Sequence, residues 1–265
     1  MKKSGKIFSK AFLLLMMVFF YMPIVYTVIF SFNSKRSLTR WSGFSLQWYE
    51  RMLSDDTMMS ALGTTITIAI LATAISTVIG TITAIGLSKS NKILKSIVER
   101  INDFPIMNPE IVTAIGLLMF FSALGVQKGY LTMLAAHVMF CTPYVMLSVG
   151  PKLRSLDPNI ADAALDLGAT PWQALIKVII PQIMPGVISG ALIAFTMSFD
   201  DFIISYFVTG NGVSNISILV YTMSKRINPS INALSTVIIF IITVALVIIN
   251  VLPLLKSKKQ KGVKE

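Results

Sequence analysis

Asp200 and Asp201 stand side by side in FTMSFDDFIIS, residues 195–205, inside an apolar run long enough to cross a membrane. A charged side chain at the centre of a lone transmembrane helix costs about 2.5–3.5 kcal/mol on insertion scales. Intramembrane acids therefore face a bundle interior or a water-filled route, and they mark paths for substrates or ions. Glu110 is a third such acid, directly after Asn108-Pro109 near the start of another apolar block. Proline frees a backbone carbonyl, and broken helices of this kind commonly line transporter cavities. No Lys or Arg falls inside any of the apolar blocks to neutralise these carboxylates. Three acids without a basic partner favour a cation. A flexible diamine or triamine would place its ammonium ends on the acids and its stem on aromatic faces.

The neighbours sort into two stripes at helical spacing. Ser198, Asp201, Ser205 and Thr209 form a polar one, and Phe195, Phe199, Phe202 and Tyr206 an aromatic one. Asp201, on the polar stripe, is expected to line the path. Asp200 lies off it with Thr196, and joins the path if the helix is distorted there or else hydrogen-bonds across helices. The aromatic stripe would equally serve helix packing or lipid contact. His137 and Cys141, the sole residues of their types, sit one turn apart in another block, where packing is their expected role. One histidine and one cysteine exclude a His-cluster metal site and a disulfide framework.

The elements that must position these groups are membrane helices. The chain is 54% hydrophobic and 13% charged, with a mean hydropathy of +0.75, whereas a soluble domain carries about 25% charged residues. A bilayer core of about 30 Å needs about 20 apolar residues per helix. Six blocks meet that length: Ala11–Phe32, Ala61–Leu87, Phe104–Leu124, Tyr130–Val149, Pro185–Thr209 and Asn232–Leu255. The predicted fold is an all-α polytopic membrane protein, with 1–265 as a single transmembrane domain. The basic n-region precedes a first block too long for a signal peptide, which reads as a retained helix.

The net charge of +11 lies between the blocks, which argues for a bilayer rather than nucleic acid as its counterpart. The N-terminal segment, the 88–103 and 150–184 loops and the tail hold sixteen of the 23 Lys and Arg residues. The positive-inside rule then puts both termini in the cytoplasm. Asp200 and Asp201 fall about 22 Å from the inner end of the fifth block, at 1.5 Å per residue, in the outer half of the bilayer. In the outer loop 33–60, Trp41, Trp48 and Tyr49 suit the headgroup level. Gly186, Gly190 and Ala194 form a small-xxx-small ridge for close helix packing.

The cytoplasmic loop 150–184 has its own punctuation. Asp157-Pro158 reads as a helix start, Gly168 as a left-handed stop, Thr170-Pro171 as a second start, with Pro181 beyond. On spacing alone this pair of short helices would also suit the membrane surface. DAALDLGATPWQALIKVIIP, residues 162–181, resembles the EAA loop of permease subunits in bacterial ABC importers. Asp162, Ala163, Ala164, Gly168, Val178, Ile180 and Pro181 occupy its motif positions. Aspartate stands for the usual glutamate, and Val178 and Ile180 for the commoner Ile and Leu. More widely, FNSKRSLTRWSGFSLQWYERML, MNPEIVTAIGLLMFFSALGV, FTMSFDDFIISYFVTG and INALSTV look like the C-type permeases of spermidine/putrescine importers.

The resemblance implies a type I ABC importer permease in a bacterial cytoplasmic (inner) membrane, importing spermidine or putrescine by alternating access. Its partners would be a second permease, an ATPase dimer docked on the EAA loop and an extracellular polyamine-binding protein. The binding protein would meet the outer loops 33–60 and 210–231, where Arg36, Arg40, Lys225 and Arg226 offer positive charge. No GxxxxGK[ST] phosphate loop occurs, so ATP and Mg belong to the partner, and no cofactor, metal or catalytic residue is expected in this chain. Another cargo, such as thiamine or a chelated metal, and an ion-coupled carrier working without ATP are the rival readings.

Overall fold

The computed structural model describes the backbone of residues 3–223 and 228–261, and the side chains of 9–223, 228–244 and 247. Lys225 and Arg226 lie outside the described residues. Helices dominate, and one isolated bridge, Asn33 with Phe44, is the extent of β pairing among the described residues. Two compact units divide the chain, Met1–Met59 with Val220–Glu265, and Ser60–Leu219.

The first unit contains α1 (Lys3–Ser31), α2 (Gln47–Ser54) and α12 (Pro229–Lys261), which cover the first and sixth expected spans. The loop before α2 is folded around Asn33, which is fully buried. Its amide donates to the carbonyls of Ser37 (3.0 Å) and Arg40 (2.9 Å), and its oxygen accepts from Ser42 N–H (2.8 Å). Trp48 was expected at the headgroups, but it is 3% exposed. Its indole N–H donates to Asn33 O (2.5 Å), and Arg36 and Arg51 stack 5.9 and 5.0 Å from the ring. The indole anchors the loop because a buried Trp N–H needs an acceptor and the backbone oxygen of Asn33 supplies one. Trp41 remains exposed.

The second unit holds α3 (Asp56–Ser88, its first turn in the other unit), α4 (Lys92–Met107), α5 (Glu110–Ala123), α6 (Tyr130–Arg154), α7 (Ile160–Asp166), α8 (Pro171–Ala174), α9 (Ile180–Asp200), α10 (Ile203–Val208) and the start of α11 (Ile216–Met223). The second and fourth expected spans fall within α3 and α6. Four described helices are long and apolar enough to cross a membrane, and α4 with α5 makes a fifth if counted as one broken span.

Two expected spans are interrupted. The block Phe104–Leu124 is divided between α4 and α5, bent by 109°. Asn108 is extended (φ −83, ψ 146) because the proline after it disfavours the helical region, and α5 starts after Pro109. The block Pro185–Thr209 breaks after Asp200, since Asp201 is extended (ψ 128) before α10 resumes.

The core lies where α6 packs on α3 and α9. Gly186, Gly190 and Ala194 are buried along α9, as the small-residue ridge requires.

Candidate functional site

The broken end of α9 is organised by the side chain of Asp201. Its Oδ2 accepts Ser205 N–H (2.8 Å) and the Ser205 hydroxyl (2.6 Å), and its Oδ1 accepts Ile204 N–H (3.2 Å). A helix start leaves unpaired N–H groups, and a carboxylate at that end satisfies them and complements the dipole. From α6, His137 places Nε2 3.3 Å from Asp201 Oδ2 and 2.9 Å from Ser205 Oγ. Its Nδ1 lies 2.7 Å from Ser198 Oγ. A carboxylate offers only acceptors, so Nε2 carries the proton and Nδ1 accepts from Ser198. Asn215 closes the network: its amide donates to Asp201 O (2.9 Å) and Ser205 Oγ (3.0 Å), and its oxygen accepts Ile218 N–H (2.9 Å). Beside it, Thr65 of α3 accepts Ile216 N–H (2.9 Å).

The polar stripe is therefore an inward face. Ser198, Asp201, Ser205 and Thr209 are all at most 4% exposed. Asp201, expected to line the path, has its carboxylate enclosed by donors and set beside His137. The pairing was hidden by the search for Lys or Arg, because the basic partner is the histidine. His137 does hold the satisfied position expected of it, and Cys141 points its thiol at Ala194 O (3.4 Å).

The other candidates lie around this network. Asp200 is exposed, on the same side as Thr196, and its backbone oxygen accepts from the Ser217 hydroxyl (3.3 Å). Glu110, in the first turn of α5, opens onto a cleft of about 110 Å³ lined also by Asn108, Thr113, Phe140 and Tyr144. Its carboxyl lies beside Asp201 and within electrostatic reach of Asp200. The break divides the aromatic stripe into two ring pairs, Phe195–Phe199 stacked at 5.7 Å and Phe202–Tyr206 tilted at 5.5 Å. Among the described residues His137–Asp201 is the only contact within 4 Å between a basic and an acidic side chain. Asn215 and Thr65 carried no signal in the sequence, where a single asparagine in an outer loop and one threonine among many look like ordinary polar residues.

The loop 150–184 is two short helices with a refined start. Asp157 accepts Asn159 N–H (2.9 Å) in a side-chain turn, and the helix begins later, at Ile160. Gly168 ends it at φ +81, with Ala169 N–H on Ala164 O (3.1 Å), the left-handed close that glycine permits. Thr170 and Gln173 cap α8 reciprocally. The second helix does not stop before Pro181. A π turn over Leu175–Ile179 widens the coil, with Ile180 N–H on Leu175 O, and the helix runs on into α9. The wider turn gives the proline ring room that a regular helix denies it.

A family model described as "Binding-protein-dependent transport system inner membrane component" matches residues 76–255, more than half of the chain. The putrescine transport system permease protein PotI of Escherichia coli (strain K12) is 41% identical over 240 residues, covering 86% of this chain and 84% of that protein. The spermidine/putrescine transport system permease protein PotC of the same strain is 34% identical over 259 residues, 97% of each chain. The chain belongs to this permease family. A crystallised bacterial ABC transporter for the acidic polysaccharide alginate superposes with a TM-score of 0.72 at 17% identity, covering 96% of this chain and 98% of that one. That likeness concerns the fold, which is the all-helical fold of an ABC importer permease. Membership makes this permease a multi-pass inner-membrane protein.

Proposed function

We propose that the chain is the transmembrane permease subunit of an ATP-driven importer that carries putrescine and spermidine into the cytoplasm. The observation that carries the cargo is the convergence of Asp200, Asp201 and Glu110 at two helix breaks with no Lys or Arg within salt-bridge distance among the described residues. The names of the relatives point to the same cargo class. Within the cluster the roles divide. Exposed Asp200 and Glu110 meet the ammonium groups, Phe199, Phe202 and Tyr206 contact the stem, and Asp201 with Ser198 and Ser205 holds the break in shape. The whole chain, 1–265, acts as one permease domain with both termini in the cytoplasm. Its partners are a second permease, an ATPase dimer and an extracellular binding protein received by the outer loops, including Arg36 and Arg40.

Coupling runs through a continuous helical path. Asp162, Ala163, Ala164 and Gly168 form the seat for the ATPase, and Val178, Ile180 and Pro181 lie where the loop feeds into α9. ATP hydrolysis takes place on the partner.

Labelled putrescine and spermidine uptake, in cells whose only polyamine importer contains this chain, tests the path. Asp200→Asn and Glu110→Gln are each expected to lower uptake about tenfold, the scale of one charge-assisted hydrogen bond. Wild-type uptake in both variants would sink the pathway, and wild-type transport of thiamine or a chelated metal in place of polyamines would sink the cargo. For coupling, Gly168→Val is expected to reduce co-purification of the ATPase about tenfold, since a left-handed residue with a side chain costs roughly 1–2 kcal/mol. Undiminished recovery of the ATPase would exclude the loop as its seat.

A further inference from the structure

The bend between α4 and α5 leaves a cavity and an amphipathic helix away from the acids described above. If α5 crosses the membrane, the 109° angle lays α4 close to the membrane plane. Lys95, Glu99, Asn102 and Asp103 recur at spacings of one and two turns on the side of α4 turned toward α6, where all are half-buried. With Arg154, from the last turn of α6, they line a cavity of about 200 Å³. Arg154 folds back so that Nη1 comes within 3.6 Å of where a Cβ on Gly150 would stand. Two cations and two anions thus share one cavity, yet among the described residues they form no ion pair with one another within 4 Å. Asn102 also borders a second, apolar cleft of about 480 Å³, lined by Ile101, Phe104, Met139 and Pro143. Along the adjoining face of α4, Ile93, Ile97, Ile101 and Phe104 are 75%, 50%, 66% and 68% exposed.

We propose that this paired cavity and cleft is a binding site for one zwitterionic phospholipid of the phosphatidylethanolamine type, held in the cytoplasmic leaflet. The phosphate meets Lys95 and Arg154, the ammonium meets Glu99 and Asp103, and an acyl chain lies in the cleft against Phe104 and Met139. A lipid such as phosphatidylglycerol would satisfy the two cations with its phosphate but offer the two acids only neutral hydroxyls in place of an ammonium. A soluble zwitterion would leave the apolar cleft and the exposed isoleucine face uncovered. The leaflet assignment rests on the topology proposed above, whereas the test below reads lipid occupancy and not transport.

The intact transporter containing this chain is delipidated and titrated with phosphatidylethanolamine, phosphatidylglycerol or glycerophosphoethanolamine, and occupancy is read by native mass spectrometry. One phosphatidylethanolamine per copy of the chain is expected, with phosphatidylglycerol weaker and glycerophosphoethanolamine unbound. Lys95→Gln with Arg154→Gln, or Met139→Trp filling the cleft, should weaken the lipid about tenfold. Glu99→Gln with Asp103→Asn should also erase the preference over phosphatidylglycerol. Because these variants alter different elements, one that fails to assemble leaves the others to decide. Equal occupancy in all variants, equal affinity for phosphatidylglycerol in the wild type, or equal binding of glycerophosphoethanolamine would overturn the proposal.

Discussion

Asp201→Ala is expected to destabilise the assembled transporter severely, before any effect on transport can be read. The substitution removes one carboxylate and leaves three buried donors without their acceptor, Ile204 N–H, Ser205 N–H and the Ser205 hydroxyl, while His137 keeps only Ser205 Oγ as a partner for Nε2. Each buried donor left unsatisfied typically costs about 1–3 kcal/mol, so several together are a large share of a typical stability of about 5–15 kcal/mol. Asp201→Asn should do less damage, about 1–3 kcal/mol, because an amide oxygen still accepts while its NH2 group faces donors. The measurement is thermal melting of the purified complex in lipid, with Asp200→Asn as the comparison. Asp200 is exposed, so its variant should melt with the wild type while losing uptake. A double-mutant cycle between Asp201→Ala and His137→Ala should return a coupling of about 0.5–3 kcal/mol. A wild-type melting curve for Asp201→Ala, combined with lost uptake, would return Asp201 to the path and dismiss the structural role.

The contrast between the adjacent aspartates marks the limit of what periodicity can carry. Spacing placed Asp201 on one stripe with Ser198, Ser205 and Thr209, and that stripe exists. Its direction was not legible, because a polar face in a membrane helix can turn toward water or toward a buried partner with the same spacing. The deciding residue was His137, which meets Asp201 only through the packing of α6 on α9 and α10. The helix break was also hidden: the sequence around Asp201 has neither glycine nor proline, and the extended turn is held by contacts from Asn215 and His137 as well as by the local bonds from Ser205. Signals that act within a few residues were readable. Gly168 and the Thr170-Pro171 start appear in the structure where the sequence puts them, because left-handed turns and N-caps are decided locally. The Asn108-Pro109 break was readable for the same reason, but its 109° angle was not, since nothing local fixes the direction of the next helix. Trp48 failed as a headgroup anchor because its acceptor, Asn33 O, lies fifteen residues earlier and is presented only once the loop has folded.

Gly190→Leu is expected to separate α9 from α6 and to disconnect the energy source from the path. A Cβ at Gly190 would stand 3.1 Å from Val145 Cα and 3.2 Å from Ser148 Cβ, so the obstacle is backbone and first side-chain carbon rather than a movable tip. One turn earlier, a Cβ at Gly186 would meet Ser148 O at 2.9 Å. A Cβ at Gly80 of α3 would press on the same Val145, at 2.8 Å from its Cβ, so α3 and α9 both pack closely against that residue of α6 and leave little room for it to move aside. Overpacking of this kind costs about 1–3 kcal/mol, and four added carbons against a backbone place Gly190→Leu at the upper end. Gly86→Leu is the internal control: nothing lies within 4 Å of its Cβ, and exchanging a helical glycine should itself be neutral or favourable by up to about 1 kcal/mol. The melting temperature should therefore fall for Gly190→Leu and hold for Gly86→Leu; a fall of equal size in both would show that helix contacts elsewhere, not this interface, set the response. The functional consequence follows from continuity. The chain is helical from Pro171, through the π turn, to Asp200; on the coupling proposed above, force entering at the 150–184 loop would reach the acids only while α9 moves as one body along α6. With the interface wedged open, the loop still offers its seat to the ATPase, and hydrolysis should continue at an unstimulated rate while putrescine uptake falls. Uptake and stimulated hydrolysis that both survive Gly190→Leu would mean that α9 is not the lever.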